Sequence, residues 1–265
     1  MIDEEIKQKS GGIKKGIYLL PNLITSASLF GGFYSIIASL NEEFHKAAIA
    51  IIISAVLDGL DGRIARLTKS TSKFGVEYDS LADLIAFGLA PGILIFTWAL
   101  QPFGRYGWLA AFLYVVCGAL RLARFNIQIN TIESKRFNGL PIPAAASLVA
   151  ATVLIFYHFG YEDITKHVTI LIMVYALAFL MVSNVKYYSF KELNPAQRMP
   201  FRLLVGLIFL LIVIAAEPQV MFFILTLGYA VSGPITTLID KRMKQKITQH
   251  APHKTESIIK KLVNM

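Results

Sequence analysis

Residues 57–91 read LDGLDGRIARLTKSTSKFGVEYDSLADLIAFGLAP, and four aspartates interrupt this otherwise mostly apolar part of the chain. They are Asp58, Asp61, Asp79 and Asp83, and they lie toward the ends of two segments long enough to cross a membrane. An aspartate at the centre of a membrane helix costs roughly 2.5 to 3.5 kcal/mol, so four of them need compensation. This stretch therefore predicts a polar site inside a membrane protein.

The composition supports the same class of protein. Of the 265 residues, 55% are hydrophobic and 16% are charged, whereas soluble domains have about 25% charged residues. We predict an all-α, polytopic integral membrane protein, because many apolar runs are long enough to cross a hydrocarbon core of about 30 Å. Eight transmembrane helices are expected, at 18–40, 46–67, 75–99, 106–127, 142–159, 167–185, 201–216 and 219–239.

The distribution of basic residues predicts the orientation. The net charge is +9, but the basic residues lie between apolar runs, which favours a membrane surface rather than nucleic acid as the partner. With the N terminus inside, all but three of the 26 lysines and arginines lie on the inner side, the exceptions being Lys46, Arg105 and Lys166. Basic residues favour the cytoplasmic side. We therefore expect a multi-pass protein of the cell (inner) membrane, with both termini and the aspartates facing the cytoplasm.

Three parts of the chain follow from this topology. Residues 1–17 form a cytoplasmic or interfacial segment, 18–240 form the transmembrane domain, and 241–265 form a basic cytoplasmic tail. No cleavable signal peptide is expected, because the polar, charged start leads into a segment of spanning length. The single cysteine, Cys117, lies in an apolar run and is expected to be a packing residue.

The spacing of the aspartates predicts a metal site. At about 100° per residue, Asp58 and Asp61 share one face of their helix, and Gly75, Asp79 and Asp83 share one face of the next. If the two faces meet, four carboxylates form an all-oxygen site that suits Mg²⁺ or Mn²⁺. Two such ions balance four negative charges. The alternative for a single DxxD pair is a solvated helix end.

The same region offers groups for phosphate chemistry. Two divalent ions would polarise a diphosphate, and the Arg66 guanidinium would add a fixed positive charge. Asp83 is the candidate general base, because it lies closest to the helix interior. No histidine is expected to reach the site, because all five lie on the outer side or in the tail: His45, His158, His167, His250 and His253.

Two further pairs of polar residues have open interpretations. Arg121 and Arg124 lie near the inner end of the fourth helix, where they either clamp an anionic group, a substrate carboxylate or a lipid phosphate, or anchor the helix as snorkelling side chains. Asn22 and Thr25 either contact a nucleotide or cap the first helix. The neighbouring Pro21 suits a helix start.

These residues resemble the signature of the CDP-alcohol phosphotransferase family, DxxDGxxARx8GxxxDxxxD. Every fixed position matches: Asp58, Asp61, Gly62, Ala65, Arg66, Gly75, Asp79 and Asp83. LPNLIT at 20–25, RLARFN at 121–126 and FNGLPIPAAA at 137–146 are similar to the phosphatidylserine synthase branch of that family. By motif position, the resemblance implies that the four aspartates hold the metals, with Asp83 also as base. It further implies that Gly62, Ala65 and Arg66 line the CDP site and that Gly75 allows close contact.

The resemblance also implies a reaction and its partners. The phosphatidyl group of CDP-diacylglycerol passes to the hydroxyl of L-serine and CMP leaves, with two Mg²⁺ or Mn²⁺ ions as cofactors, among membrane lipids and in a homodimer. Glycerol 3-phosphate is the alternative acceptor. A prenyltransferase is disfavoured, because no second acidic motif follows Asp83. A cation transporter is a distant alternative, because its acids belong near the bilayer midplane rather than toward one face.

Overall fold

The computed structural model describes residues 2–68, 70, 72–128, 136–161, 167–188 and 216–250, and these are mostly helical. The helices are α1 (Ile2–Leu40), α2 (Phe44–Leu67), α3 (Lys73–Asp83), α4 (Ala90–Ile95), α5 (Arg105–Gln128), α6 (Ile142–His158), α7 (Val168–Val182) and α8 (Pro218–His250). Two π-helical turns and a short 3₁₀ turn extend α3 and α4 into one helical run, and they span Leu84–Leu89, Phe96–Leu100 and Gln101–Phe103. The mostly helical prediction is confirmed.

Four helices in the described part of the chain are long and apolar enough to cross a membrane, and they span Leu20–Leu40, Lys73–Phe103, Arg105–Ile127 and Pro218–Ile239. The helix α2 is 24 residues long, but its aspartates and basic residues make it less apolar. The apolar helices α6 and α7 are shorter. The count of eight spans and the cytoplasmic position of both termini therefore stay predictions.

Some predicted boundaries differ from the structure. Pro21 lies inside α1 rather than at its start, which costs one backbone hydrogen bond but is tolerated in membrane helices. The predicted helix at 201–216 lies outside the described residues except at its last position. The helix α8 continues to His250, so the described beginning of the basic tail is helical.

Small residues bring α1 close to its two neighbours. A Cβ at Gly31 would collide with Ser54 Oγ of α2, and a Cβ at Gly32 would lie 2.5 Å from Ala86 Cα in the first π-helical turn. Ser28 and Ser54 each donate a hydrogen bond to the other's backbone oxygen, at 3.0 and 2.9 Å. Close backbone approach through small residues is how membrane helices gain packing contacts. The packing of α1 therefore fixes α2 and α3 side by side.

A short antiparallel ladder, which the all-α prediction missed, joins the connections after α5 and α7. It pairs β1 (Arg136–Asn138) with β2 (Lys186–Tyr188). The fully buried Tyr187 donates from its hydroxyl to Ala230 O of α8 at 2.9 Å. A Cβ at Gly233 would collide with the Tyr187 ring. The ladder therefore positions α8 against the rest of the bundle.

Candidate functional site

Three of the four aspartates come together where α2 and α3 lie side by side. Asp58, Asp61 and Asp79 each offer one carboxylate oxygen, and these oxygens all lie within 4.8 Å of one another. Asp83 lies one turn further along than Asp79, and its carboxyl is in hydrogen-bonding contact with that of Asp58. The two acidic faces predicted from helix spacing thus meet, with Asp83 beside the group of three rather than within it.

The chemistry of this acidic cluster fits a divalent cation. The Asp79 Oδ1 atom is buried and has no hydrogen-bond partner among the described residues. The described ion pairs are Lys46–Glu43 and His158–Glu217, and neither involves the cluster. Buried carboxylates need paired charges or a metal ion. Because all the available ligand atoms are oxygens, a hard ion such as Mg²⁺ or Mn²⁺ is the matching class.

Thr25 holds one of these carboxylates in place. The hydroxyl of this buried residue of α1 donates a hydrogen bond to Asp61 Oδ2 at 2.8 Å. It also lies 3.1 Å from Pro21 O, one turn earlier in the same helix. Of the two interpretations of Thr25, the structure therefore favours a position at the site over a cap at a helix end.

A cleft of about 570 Å³ adjoins the cluster between α1, α2 and α3. Besides Asp61 and Asp79, its walls include all six residues that the sequence suggested for CDP-lipid binding: Asn22, Thr25, Gly62, Ala65, Arg66 and Gly75. A Cβ at Gly75 would lie 3.1 Å from Ser72 Oγ and 3.4 Å from Asn22 Oδ1. The glycine thus keeps this end of the cleft open.

The sequence reasoning missed two hydroxyl groups in the cleft. Ser70 and Ser72, from the connection between α2 and α3, also line it. Ser72 caps α3 by accepting a hydrogen bond from Gly75 N at 2.9 Å. Serine just before a helix is a recognised capping signal, and the first N–H groups of a helix favour anions. The run of serine and threonine at 70–72 was the available signal.

The structure separates the two arginines of α5. Arg121 is buried, with 9% of its surface exposed, and its Nε has no hydrogen-bond partner among the described residues. It lies within electrostatic range of Asp83 and of Tyr229 in α8. Arg124 instead donates to Asn184 Oδ1 at 2.7 Å, and its Nη1 lies 3.5 Å from Val182 O. Arg121 is therefore the one placed near the acidic cluster, and Arg124 ties α5 to the end of α7.

The three histidines whose side chains the structure describes lie far from the aspartates. His45 contacts Tyr157, His167 contacts Phe156, and His158 is 3.2 Å from Glu217. Along α2, His45 is about 20 Å from Asp58 at about 1.5 Å per residue. A histidine from this end of the bundle cannot act as the base at the acidic cluster.

Comparisons with known proteins agree with these observations. Residues 18–182 match the family model for CDP-alcohol phosphatidyltransferase. A CDP-diacylglycerol–serine O-phosphatidyltransferase of Helicobacter pylori is 46% identical over 178 residues, which cover 67% of this chain and 75% of that protein. The enzyme of the same name from Bacillus subtilis is 35% identical over 65% of this chain and 92% of its own. An archaetidylserine synthase of Methanothermobacter thermautotrophicus is 38% identical over 63% and 69%.

Proposed function

The chain belongs to the CDP-alcohol phosphatidyltransferase family, and from this premise we propose that it transfers the phosphatidyl group of CDP-diacylglycerol to the hydroxyl of L-serine. The products are phosphatidylserine and CMP. The names of its relatives, including an archaeal one, support serine as the acceptor. The observation that carries the proposal is the cluster of Asp58, Asp61 and Asp79. It lies beside a cleft whose walls include carboxylates, hydroxyl groups and the Arg66 guanidinium.

The donor side of the site consists of α1, α2 and α3 around the cleft. Arg66 and the hydroxyls of Ser70 and Ser72 lie in its walls, where they can bind phosphate and ribose oxygens. Asn22, opposite Gly75, can contact the cytosine base through its amide. We place the diphosphate next to Asp61 and Asp79, because these residues belong both to the cleft and to the acidic cluster.

The acidic cluster would hold two divalent cations, Mg²⁺ or Mn²⁺. Asp58, Asp61 and Asp79 are the proposed ligands, with Asp83 as a further one, and Thr25 orients Asp61. When bound, such ions polarise the transferred phosphoryl group and stabilise the leaving phosphate. Without them, four neighbouring carboxylates would repel the diphosphate.

The acceptor side consists of α5, β2 and α8 around Arg121. Its guanidinium would bind the serine carboxylate, and this would bring the serine hydroxyl toward Asp83. Asp83 would accept the hydroxyl proton as the oxygen bonds to the lipid-linked phosphorus. The bond from that phosphorus to the bridging oxygen breaks, and CMP leaves. We propose direct transfer without a covalent enzyme intermediate; a trapped, radiolabelled phosphatidyl-enzyme would contradict it.

The setting of the reaction is also part of the proposal. The chain is a membrane protein, and the distribution of its basic residues supports a cytoplasmic site in the cell membrane. The likeness to the family implies a homodimer. The proposed transfer reaction requires neither the cytoplasmic position of the site nor the homodimer.

The test uses the purified full chain with CDP-diacylglycerol, Mg²⁺ or Mn²⁺, and a panel of alcohols that includes L-serine and glycerol 3-phosphate. CMP release and the lipid product are measured. We expect release with serine and none after chelation of divalent ions. Equal release with every alcohol, or release without a metal, would contradict the proposal. Cation flux in proteoliposomes that lack CDP-diacylglycerol would support the transporter alternative.

A further inference from the structure

A second concave surface lies on the α1–α2 pair and shares no residue with the cleft. We call it the lipid-facing groove; it is about 850 Å³, and its walls include Phe30 and Tyr34 of α1 and Ile49, Ile53 and Leu57 of α2. Phe30 is 69% exposed and Ile53 is 52% exposed. Both helices therefore present large apolar side chains at this surface that the described residues leave exposed.

The groove is long enough along α2 for a lipid acyl chain. It begins at Lys46, near the start of α2, and ends at Leu57. At about 1.5 Å per residue this is roughly 16 Å, about half of a hydrocarbon core of about 30 Å. Leu57 directly precedes Asp58, so the groove lies between the acidic cluster and the Lys46 end of α2. A single acyl chain of a lipid whose headgroup lies at the Lys46 end matches both the length of the groove and its apolar walls.

The open end of the groove carries a pair of opposite charges. Lys46 Nζ is 2.7 Å from Glu43 Oε1, and both side chains are accessible to solvent. A phosphate ester can bind Lys46, and a primary ammonium can donate hydrogen bonds to the Glu43 carboxylate. A quaternary ammonium has no N–H to donate, and an anionic headgroup without an amine leaves Glu43 facing a negative charge. The pair therefore complements a headgroup that carries both a phosphate and a primary ammonium.

We propose that the lipid-facing groove binds one acyl chain of a phosphatidylethanolamine-type lipid, with its phosphate at Lys46 and its ammonium at Glu43. This site goes beyond the proposed reaction, because it shares no residue with the cleft and its headgroup end at Lys46 lies about 18 Å along α2 from Asp58. It assigns to the α1–α2 pair a bound lipid in addition to the donor substrate.

The test compares lipids that share the same acyl chains but differ in headgroup. Full-length protein in detergent is titrated with phosphatidylethanolamine, phosphatidylcholine or phosphatidylglycerol, and native mass spectrometry counts the retained lipids. We expect about threefold, and at most about fivefold, more retained phosphatidylethanolamine than either of the others, because exposed ion pairs contribute up to about 1 kcal/mol, which is a factor of about five. Equal retention of all three would overturn the proposal.

Three variants locate the lipid. Ile53→Trp fills the groove and should abolish the preferential retention, whereas Val56→Trp, on the same helix and 59% exposed but outside the groove, should leave it unchanged. Lys46→Gln should remove the headgroup preference. Because Lys46 is exposed, this variant should fold, and it therefore tests the proposal even if Ile53→Trp does not fold. Equal losses in Ile53→Trp and Val56→Trp would contradict the site. So would a change of oligomeric mass in Ile53→Trp without bound lipid, which would show that protein fills the groove.

Discussion

On the donor side, every cleft residue lies between Pro21 and Asp79 in the sequence, whereas on the acceptor side Arg121, Tyr187 and Tyr229 come from three distant elements. The donor side is fixed by contacts within one consecutive set of helices, α1 to α3. The acceptor side depends on β2 and α8 being brought to α5 by contacts such as the Tyr187–Ala230 hydrogen bond.

This difference suggests a separate role for each side in the proposed reaction: the donor side binds the diphosphate, and the acceptor side binds the alcohol. In the proposed reaction, binding of the diphosphate needs fixed spacing of carboxylates, which two neighbouring helices supply through their own periodicity. In the proposed reaction, the serine carboxylate needs a cation held near Asp83 in a buried place, and only tertiary contacts can supply this. We therefore expect changes on the donor side to affect every acceptor alike, and changes on the acceptor side to alter which acceptor is used.

The largest effect is expected from the acidic cluster. Asp79→Asn and Asp83→Asn should each lower kcat by more than about 100-fold with any acceptor, since even residues behind metal ligands contribute about 10- to 100-fold. CMP release as a function of Mn²⁺ concentration is the measurement. The matched control is Glu77→Gln, on the exposed face of α3, which should keep full activity. A fully active Asp83→Asn protein would rule out the proposed base.

The next effect separates the two arginines of α5. Arg121→Lys keeps the charge but loses the planar fork, and should raise the KM for serine by about 10- to 100-fold, because hydrogen bonds to charged groups contribute about 1.5 to 3 kcal/mol. The KM for CDP-diacylglycerol should change little. Steady-state kinetics with each substrate varied in turn provides the measurement.

Arg124 is the comparison for this prediction. The sequence predicts that Arg124→Ala raises the KM for serine more than that for CDP-diacylglycerol, whereas its hydrogen bond to Asn184 favours a role in tying α5 to α7. On the second interpretation, Arg124→Ala and Asn184→Ala should have the same effect, and the double variant should add nothing. A larger serine effect in Arg124→Ala than in Arg121→Lys would reverse our assignment of the acceptor side.

The meeting of the two acidic faces could be predicted from the sequence because its determinants are local. Helical spacing was enough to bring Asp58, Asp61 and Asp79 together, and the motif placed Gly62 and Gly75 in the cleft. Contacts between residues far apart in the chain produce no periodic pattern in the sequence from which they could be predicted. The β1–β2 ladder and the close approach of Gly233 to Tyr187 depend on segments about 50 residues apart, so neither could be derived from spacing alone. The different positions of Arg121 and Arg124 have the same origin.

The smallest effect is expected from glycine substitutions that disturb the packing of one side at a time, and it tests whether each side affects the binding of only one substrate. Gly32→Ala would press against the Ala86 backbone on the donor side, and Gly233→Ala would press against the buried Tyr187 ring on the acceptor side. Overpacking of this kind costs about 1 to 3 kcal/mol of stability. Gly228→Ala is the control, because a Cβ there meets no atom within 4 Å; it should be neutral or stabilise by up to about 1 kcal/mol.

Thermal unfolding and the two KM values together distinguish the outcomes. Gly32→Ala should raise the KM for CDP-diacylglycerol, because α1 carries Asn22 and Thr25 into the cleft. Gly233→Ala should raise the KM for serine, because a shift of α8 moves Tyr229 relative to Arg121. If both variants raised the same KM, the donor and acceptor sides would not respond independently to a local change in packing. The choice of acceptor would then depend on the packing of all the helices together rather than on the position of α8.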